Sequence, residues 1–320
     1  MSRSLLIVAC LLSAVGCTWA QPAAPSTLVA TPMAAIVQGP CDVLAAAGTP
    51  CVAAHNFARK SLTSYAGSFY QLTGTNITEI YDQINTDLVG NNLVVNGAFG
   101  KSPALLGWTT PPSGVKVAIA RIVPGEGYYA GACCNPGFTG TINIPKGNSA
   151  ITMYMVVEDT SEGGEVSGCC GSYNDGESPQ RGGPKGYMFG LAKSTGGMGV
   201  EGTGLGPWPG IDLEQGVWGY GPTPTAKYLT ILGKYDPTTG IMTLKSGDAT
   251  QGTLTTLYSG PLPPGYTVLN LEGGLSLGGG GDASNSPINF IEGGIVAAAT
   301  TDAADDTLQA NIASFYGSAQ

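Results

Sequence analysis

The chain of 320 residues contains a single histidine, His55. That scarcity removes hydrolase schemes built on Ser-His-Asp or Cys-His pairs, which need an imidazole base. It also leaves too few nitrogen ligands for a catalytic zinc, so a structural, hydrogen-bonded role is expected for His55. Charge is sparse as well. Charged residues make up 11%, with 13 Lys and Arg against 22 Asp and Glu, a formal net charge of -9. Without a basic stripe there is no footing for nucleic acid or for an anionic membrane surface. No segment reaches the roughly 18 uninterrupted apolar residues of a spanning helix. GxGxxG, P-loop, HExxH and GxSxG patterns are all missing, and the sequence implies neither cofactor nor metal.

What is present is glycine, at 50 positions, proline at 22, and an apolar share of 42%. The apolar share is too high for a disordered chain, and the glycines follow no collagen rhythm. Arg3 precedes an apolar run from Leu5 to Leu12, and Thr18-Trp19-Ala20 ends in a small residue. Residues 1–20 therefore read as a secretory signal peptide and the protein as extracellular. Residues 21–38, rich in Ala, Pro and Thr, read as a flexible leader, and the fold is expected over 39–318. Past the signal lie Cys41, Cys51, Cys133, Cys134, Cys169 and Cys170, an even count that suits disulfides in an exported chain. Cys41 and Cys51 enclose a short Ala-rich loop and form a plausible local pair. Each of the two doublets either closes on itself, in a strained ring, or cross-links to the other. The sequon Asn76-Ile77-Thr78 marks Asn76 for glycosylation on a surface loop.

Cys51 to Leu62 reads as a short helix or turn. Beyond residue 88 the pattern is strands and turns almost throughout. Apolar stretches near 115–123, 150–159, 187–192, 227–235, 240–247, 252–260, 268–277 and 287–298 are separated by Gly, Pro and Asn. In the sixth of these, Leu254, Thr256 and Tyr258 fall on one face, and Thr253, Thr255 and Leu257 on the other. The final segment, from Thr300 to Tyr316, is the one convincing helix. Asp302, Asp305 and Asp306 suit its first turn, and Leu308, Ile312 and Phe315 mark its apolar stripe. The composite is all-β, an antiparallel sandwich or barrel with a short C-terminal helix.

With imidazole and metal chemistry removed, an extracellular protein is left with carboxylates, the groups glycoside hydrolases use in pairs. Two segments carry candidates. In WPGIDLEQG (208–216), a strand would point Asp212 and Glu214 to one face and Leu213 to the core. In GGGGDASN (278–285), Asp282 follows four glycines. Either segment also reads as ordinary structure: a solvated strand, or a turn capped by its own Asp. Tyr128, Tyr129, Trp208 and Trp218 are candidate stacking faces for a sugar.

A set of segments in fixed order then decides more. They are GPCDVLAAAGTPCVAAH (39–55), LTSYAGSFYQL (62–72), IYDQ (80–83), GEGY (125–128) and GCCGSYNDGES (168–178). GPWPGIDLEQG (206–216), GTLTTLYSG (252–260), LGGGGDASN (277–285) and FIEGG (290–294) complete it. Together they resemble the catalytic domain of the alpha-L-arabinofuranosidase B family, glycoside hydrolase family 54, over residues 39–318.

The resemblance implies a concanavalin-like β-sandwich and a retaining, exo-acting enzyme that releases terminal arabinofuranosyl units from arabinoxylan or arabinan. It implies Glu214 as nucleophile and Asp282 as general acid/base, with carboxyls about 5–5.5 Å apart. Asp212, Gln215, Gly281, Met188 and Trp208 would contact the sugar, and Cys169–Cys170 would form a vicinal disulfide packed against it. The sequence departs from the family at Gln215 and Gly216, where asparagines are usual, and in the extra doublet Cys133-Cys134. The family's C-terminal arabinose-binding β-trefoil is not expected in this chain. The expected partner is a plant cell-wall polysaccharide or arabino-oligosaccharide, with the protein a monomer. Those departures motivate an alternative, a secreted, non-catalytic, lectin-like carbohydrate-binding sandwich.

Overall fold

The computed structural model describes residues 38–86, 89–95, 101–130, 141–158, 171–175, 189–194, 202–213, 216–271, 273–278 and 287–318. These begin with helix α1 (Pro40–Ala46). Strands β1 (Cys51–Asn56), β2 (Tyr70–Thr73), β3 (Asn76–Ile80), β4 (Leu93–Val95), β5 (Leu105–Thr109), β6 (Val117–Ile122) and β7 (Gly127–Ala130) follow. Next come β8 (Ile151–Glu158), β9 (Gly171–Asp175), β10 (Phe189–Ser194), β11 (Trp208–Leu213), β12 (Gly216–Gly219) and β13 (Tyr228–Asp236). The order closes with β14 (Ile241–Asp248), β15 (Thr255–Pro261), β16 (Leu275–Gly278), β17 (Ile288–Val296) and helix α2 (Asp302–Tyr316). No described helix is long and apolar enough to cross a membrane.

The pairings are antiparallel and trace two layers. The inner layer runs β15–β14–β13–β8–β17, with β6 and β1 sharing the other edge of β17 and β5 beyond β6. The outer layer runs β12–β11–β10–β9–β16–β7–β4–β3–β2. Met153, Met155, Val157, Leu229, Ile231 and Phe290 of the first pack with Phe189, Leu191, Ile211, Leu213, Leu275 and Leu277 of the second in one core. The opposite face of the inner layer is apolar too. Tyr154, Val156, Leu232 and Ile291 pack beneath Leu308, Ile312 and Tyr316 of α2 and Leu44 of α1. The result is a concanavalin-like β-sandwich with helices over one sheet, as its alternation predicts.

Double burial explains where the sequence reading was wrong. Cys51–Asn56 is a strand, not a helix or turn: Ala53 faces one core and Ala54 the other, opposite Ile295 and Gly294 of β17. A short run buried on both faces shows no alternation, so its period is ambiguous. The Cys41–Cys51 interval contains a helix, α1, capped by Asp42, whose Oδ2 accepts from Gly39 N at 2.8 Å. Its two cysteines are bonded, with Cα atoms 5.6 Å apart. In β15 the alternation fails at a bulge: Leu244 pairs with Tyr258 but Lys245 with Thr256, so Leu257 and Tyr258 both reach the core. Asn76 is exposed, as expected, but it is the first residue of β3 and pairs with Thr73 across a hairpin.

Helix α2 is pinned at both ends. Thr301 caps it, accepting from Ala304 N. Lys234 and Lys245, from β13 and β14, meet Asp302 at 3.0 and 2.7 Å and Asp305 at 2.7 Å each. At the other end Tyr316 donates to Glu292 Oε2 at 3.0 Å. Glu292 is fully buried on β17 and takes Arg59 through two bonds, 2.8 Å from Nε and 2.7 Å from Nη2. Asn56 adds a third donor at 2.9 Å. Burial works against the Arg59 charge, and the adjacent Glu292 carboxylate outweighs it, so the guanidinium pKa is raised.

Replacing Arg59 by Met leaves Glu292 buried and unpaired, which is expected to cost about 3–5 kcal/mol of stability by urea denaturation. The two lysines, bonding first through Lys245, hold Asp302 down to about 2 from 3.8. A lowered carboxylate stabilises the folded state above the unfolded value and loses that contribution as pH falls through about 2. Asp302 is largely exposed, so the effect is small and salt-sensitive. Asp302→Asn is expected to flatten the acid limb of thermal stability between pH 4 and 2.

Candidate active site

The outer sheet packs one face on the core and turns a mixed face, apolar at Ala192 and Val217, the other way, and a single line of paired residues shows it. Asp212 pairs with Gly190, Gly190 with Asn174, Asn174 with Ser276, and Ser276 with Tyr129. Tyr129 pairs in turn with Val94, and Val94 with Glu79. Their chain neighbours Ile211, Leu213, Leu191, Leu275, Leu277, Tyr128, Ala130, Leu93 and Ile80 all lie in the core. Paired residues share a face and consecutive residues alternate, so Asp212, Ser276, Tyr129, Val94 and Glu79 of this line face away from the core.

Asp212 is therefore on the outer side of β11 with Leu213 beneath it, as its sequence pattern predicts. It is 4% exposed, an ionisable group held in a nearly dry position. Its cross-strand neighbour on one side is Gly190, which adds no side chain, and on the other Val217 of β12. Ser276 is wholly buried on the same line. Neither Gly190 nor Ser276 was singled out from sequence. The signal available was a small residue flanked by apolar ones, in Phe189-Gly190-Leu191 and Leu275-Ser276-Leu277, but only the pairing aligns them with Asp212.

Trp208, two alternations before Asp212, shares its face but is covered. Its Nε1 donates to Thr203 O at 2.9 Å, and a Cβ on Gly202 or Gly206 would strike its ring. Of the other proposed stacking rings, two belong to the core. Tyr128 is wholly buried, its hydroxyl accepting from Ala104 N at 2.7 Å and donating to Ile77 O at 2.9 Å. Burial pushes its phenol well up. Trp218 packs edge-on against Tyr266 at 5.3 Å. A run of Tyr or Trp in a strand does not reveal which face it serves until the partner strand is known.

His55 lies on β1, away from this face, with Nε2 donating to Asn91 O at 2.8 Å. Burial lowers its pKa, against the pull of Asp82, and the neutral ring serves structure. Among the described residues no cluster of three or more His, Cys, Asp or Glu is placed to hold a metal.

Glu214, Gln215, Gly281, Asp282, Met188, Cys169, Cys170, Cys133 and Cys134 lie outside the described residues. Their chain neighbours do not. Leu213 ends β11 directly before Glu214, and Phe189 opens β10 directly after Met188. Gly190 opposite Asp212 brings those two strand ends together. Gly171 opens β9 directly after Cys170, and Gly278 ends β16 three residues before Gly281. Ser172 opposite Gly278 brings that second pair of ends together, at the other edge of the same strip. The two edges are separated by three strand spacings and three residues, roughly 15–20 Å.

Gly278 has φ +81°, and a Cβ there would sit 2.7 Å from Ile122 Cγ2. Gly278→Ala is expected to lower stability by about 1–2 kcal/mol, read by calorimetry.

A family model described as "Alpha-L-arabinofuranosidase B, catalytic" matches residues 40–76 and 72–316. An alpha-L-arabinofuranosidase of Hypocrea jecorina is 29% identical over 326 residues, covering 87% of this chain and 62% of its own length. A probable alpha-L-arabinofuranosidase B of Aspergillus clavatus is 30% identical over 325 residues, covering 85% of this chain and 61% of that protein. A solved mutant of a GH54 a-l-arabinofuranosidase soaked with 4-nitrophenyl a-l-arabinofuranoside superposes with TM-score 0.70 at 26% identity. It covers 87% of this chain and 66% of that one. A solved arabinofuranosidase complexed with arabinofuranosyl-alpha-1,2-xylobiose gives 0.69 at 25%, over 87% and 65%. The chain thus spans less than two thirds of these relatives. With the model matched across nearly all of the described fold, this chain belongs to the alpha-L-arabinofuranosidase B catalytic-domain family, glycoside hydrolase family 54.

Proposed function

We propose that the protein is a retaining, exo-acting alpha-L-arabinofuranosidase that removes terminal arabinofuranosyl units from arabinoxylan or arabinan. One observation carries the reading: Asp212 is held nearly dry on the outer face of β11, with Leu213 in the core beneath it. Glu214 follows Leu213 directly, in the two-residue connection between the paired ends Leu213 and Gly216 of β11 and β12, two positions from Asp212. Four residues of chain beyond Gly278 reach at most about 14 Å, enough with two side chains to bring Asp282 to Glu214. The reading requires the chain from Gly278 to run back across the strip toward β11.

In the first step protonated Asp282 gives its proton to the glycosidic oxygen while the Glu214 carboxylate attacks the anomeric carbon. The leaving sugar departs as an alcohol and an arabinosyl ester of Glu214 remains. In the second step Asp282, now ionised, takes a proton from water as that water attacks the same carbon. Arabinose leaves, Glu214 regains its charge and Asp282 its proton. Asp212 would fix sugar hydroxyls from its buried position, and Gly190 beside it leaves room for the ring. Gln215, Gly281, Met188, Trp208 and a Cys169–Cys170 vicinal disulfide would complete the pocket. The same reading makes residues 1–20 an export signal, 21–38 a leader and 39–318 the catalytic unit of an extracellular protein.

The test is release of 4-nitrophenol from its alpha-L-arabinofuranoside. Turnover by the wild type is expected; sugar binding without turnover would favour the lectin-like alternative. Glu214→Gln is expected to fold normally and lose nearly all activity. Asp282→Asn is expected to lose about 10²–10⁴-fold and the alkaline limb of the kcat/KM profile, because that limb reports the acid. Near-wild-type rates in either variant would refute its assigned role. Cys169→Ser with Cys170→Ser is expected to raise KM; unchanged KM and kcat would make the doublet structural only.

A further inference from the structure

Two segments that carry the family resemblance, residues 62–72 and 80–83, contain none of the assigned site residues. They meet around one cavity of about 550 Å³, within the range of small-molecule sites. Its place in the fold is informative. Asn92 lines it and donates through Nδ2 to Glu79 Oε1 at 2.8 Å. Glu79 is the far end of the line that starts at Asp212. One wall of the cavity thus adjoins the end of the outer sheet, six strand spacings from Asp212, about 30 Å measured along the sheet.

The chemistry of the walls limits the occupant. No Lys or Arg is among the lining residues, and the one carboxylate, Asp82, is spent. Its Oδ1 accepts from the backbone N–H of Ala54 and Ile84, and its Oδ2 from Asn85 and Asn91. Gln83 is committed likewise, accepting from Ser61 N at 2.7 Å and donating to Asn56 O at 3.3 Å. These bonds make a fixed wall: Asp82 is buried with both oxygens already accepting, so it does not ligate a cation, and its negative charge with no Lys or Arg nearby disfavours an anion. What remains for a ligand is the half-buried ring of Tyr81 and the exposed hydroxyls of Ser64, Ser68 and Thr86. A flat ring beside several hydroxyls fits a neutral, polyhydroxylated pyranose, which has an apolar face and an equatorial rim of OH groups.

We propose that this cavity is a second carbohydrate-binding site that holds the xylopyranosyl main chain of the polysaccharide, stacked on Tyr81. The proposal rests on the functional reading above for its purpose, but not for its ligand. A main chain bound here stays tethered while its arabinofuranosyl branches are presented to the Asp212 face. Only a polymer spans both places, so the site separates large from small substrates.

The experiment compares 4-nitrophenyl alpha-L-arabinofuranoside with soluble arabinoxylan, using wild type, Tyr81→Ala and Ala66→Trp. The tryptophan is placed on an exposed lining residue to fill the cavity without touching its hydrogen bonds. Both variants are expected to keep kcat/KM on the nitrophenyl substrate within twofold. On arabinoxylan both should lose five- to twentyfold, mainly through KM. Calorimetric titration with xylohexaose supplies the second reading, with affinity at least tenfold weaker in both variants. Equal losses on both substrates, or none on arabinoxylan, would overturn the proposal. So would unchanged xylohexaose affinity, or tighter binding of linear arabinan oligosaccharide than of xylohexaose. A wild type inactive on both substrates would refute the enzymatic reading alone, and the xylohexaose titration would still decide this one.

Discussion

Glu292 stands in the middle of β17 without any exposure, and its charge is tolerable there only because Arg59 meets both of its oxygens. Removing a carboxylate from water costs several kcal/mol, which pairing and hydrogen bonding must offset. Here Arg59, Asn56 and Tyr316 supply four donors. They come from the turn after β1, from β1 itself and from the end of α2, so satisfying one carboxylate draws three distant elements onto the inner sheet. Arg59 also lies over the Phe315 ring, 4.9 Å from its centre. At its other end α2 is held by Lys234 and Lys245. The inner sheet is thus covered on its helical side, and its remaining apolar face requires a second sheet.

That second sheet is where function can be placed. The inner sheet covers one side of the outer sheet, and the residues of its other face, Asp212, Ser276 and Tyr129 among them, are turned away from that core. Leu213 and Ile211 anchor β11 in the core while Asp212 is turned outward. The same division between a core-facing and an outward side chain runs through β16 and β7, where Leu275, Leu277 and Tyr128 lie in the core and Ser276 and Tyr129 face the other way. Strands packed on a two-layer core hold the backbone of Asp212 rigidly in place. The distal cavity uses the same logic. Asp82 and Gln83 spend their polarity on fixing β1 and its neighbouring loops, and what they leave exposed is neutral.

Much of this was legible in the residues themselves. The Asp212-Leu213 alternation, the capped helix with its Asp-rich first turn, the Cys41–Cys51 pair and the hydrogen-bonded histidine are all short-range patterns. Each depends on residues close in the chain or on one count. Elements with an ambiguous period were misread. The Ala-rich β1 has no alternation because both its faces are buried, and the bulge at Leu257 inserts a residue that no propensity signals.

The sequence by itself determined the class of fold, the family and the outward direction of Asp212. Those follow from local alternation, from turn residues and from motifs read in order. Only the tertiary structure decided which strands are neighbours. It set Asp212, Gly190, Ser276, Tyr129 and Glu79 on one line, sent Tyr128 and Trp218 into the core, and paired Arg59 with Glu292 across 233 positions. The physical reason is that register between remote strands is set by how two sheets fit together, and no short stretch of chain contains that information.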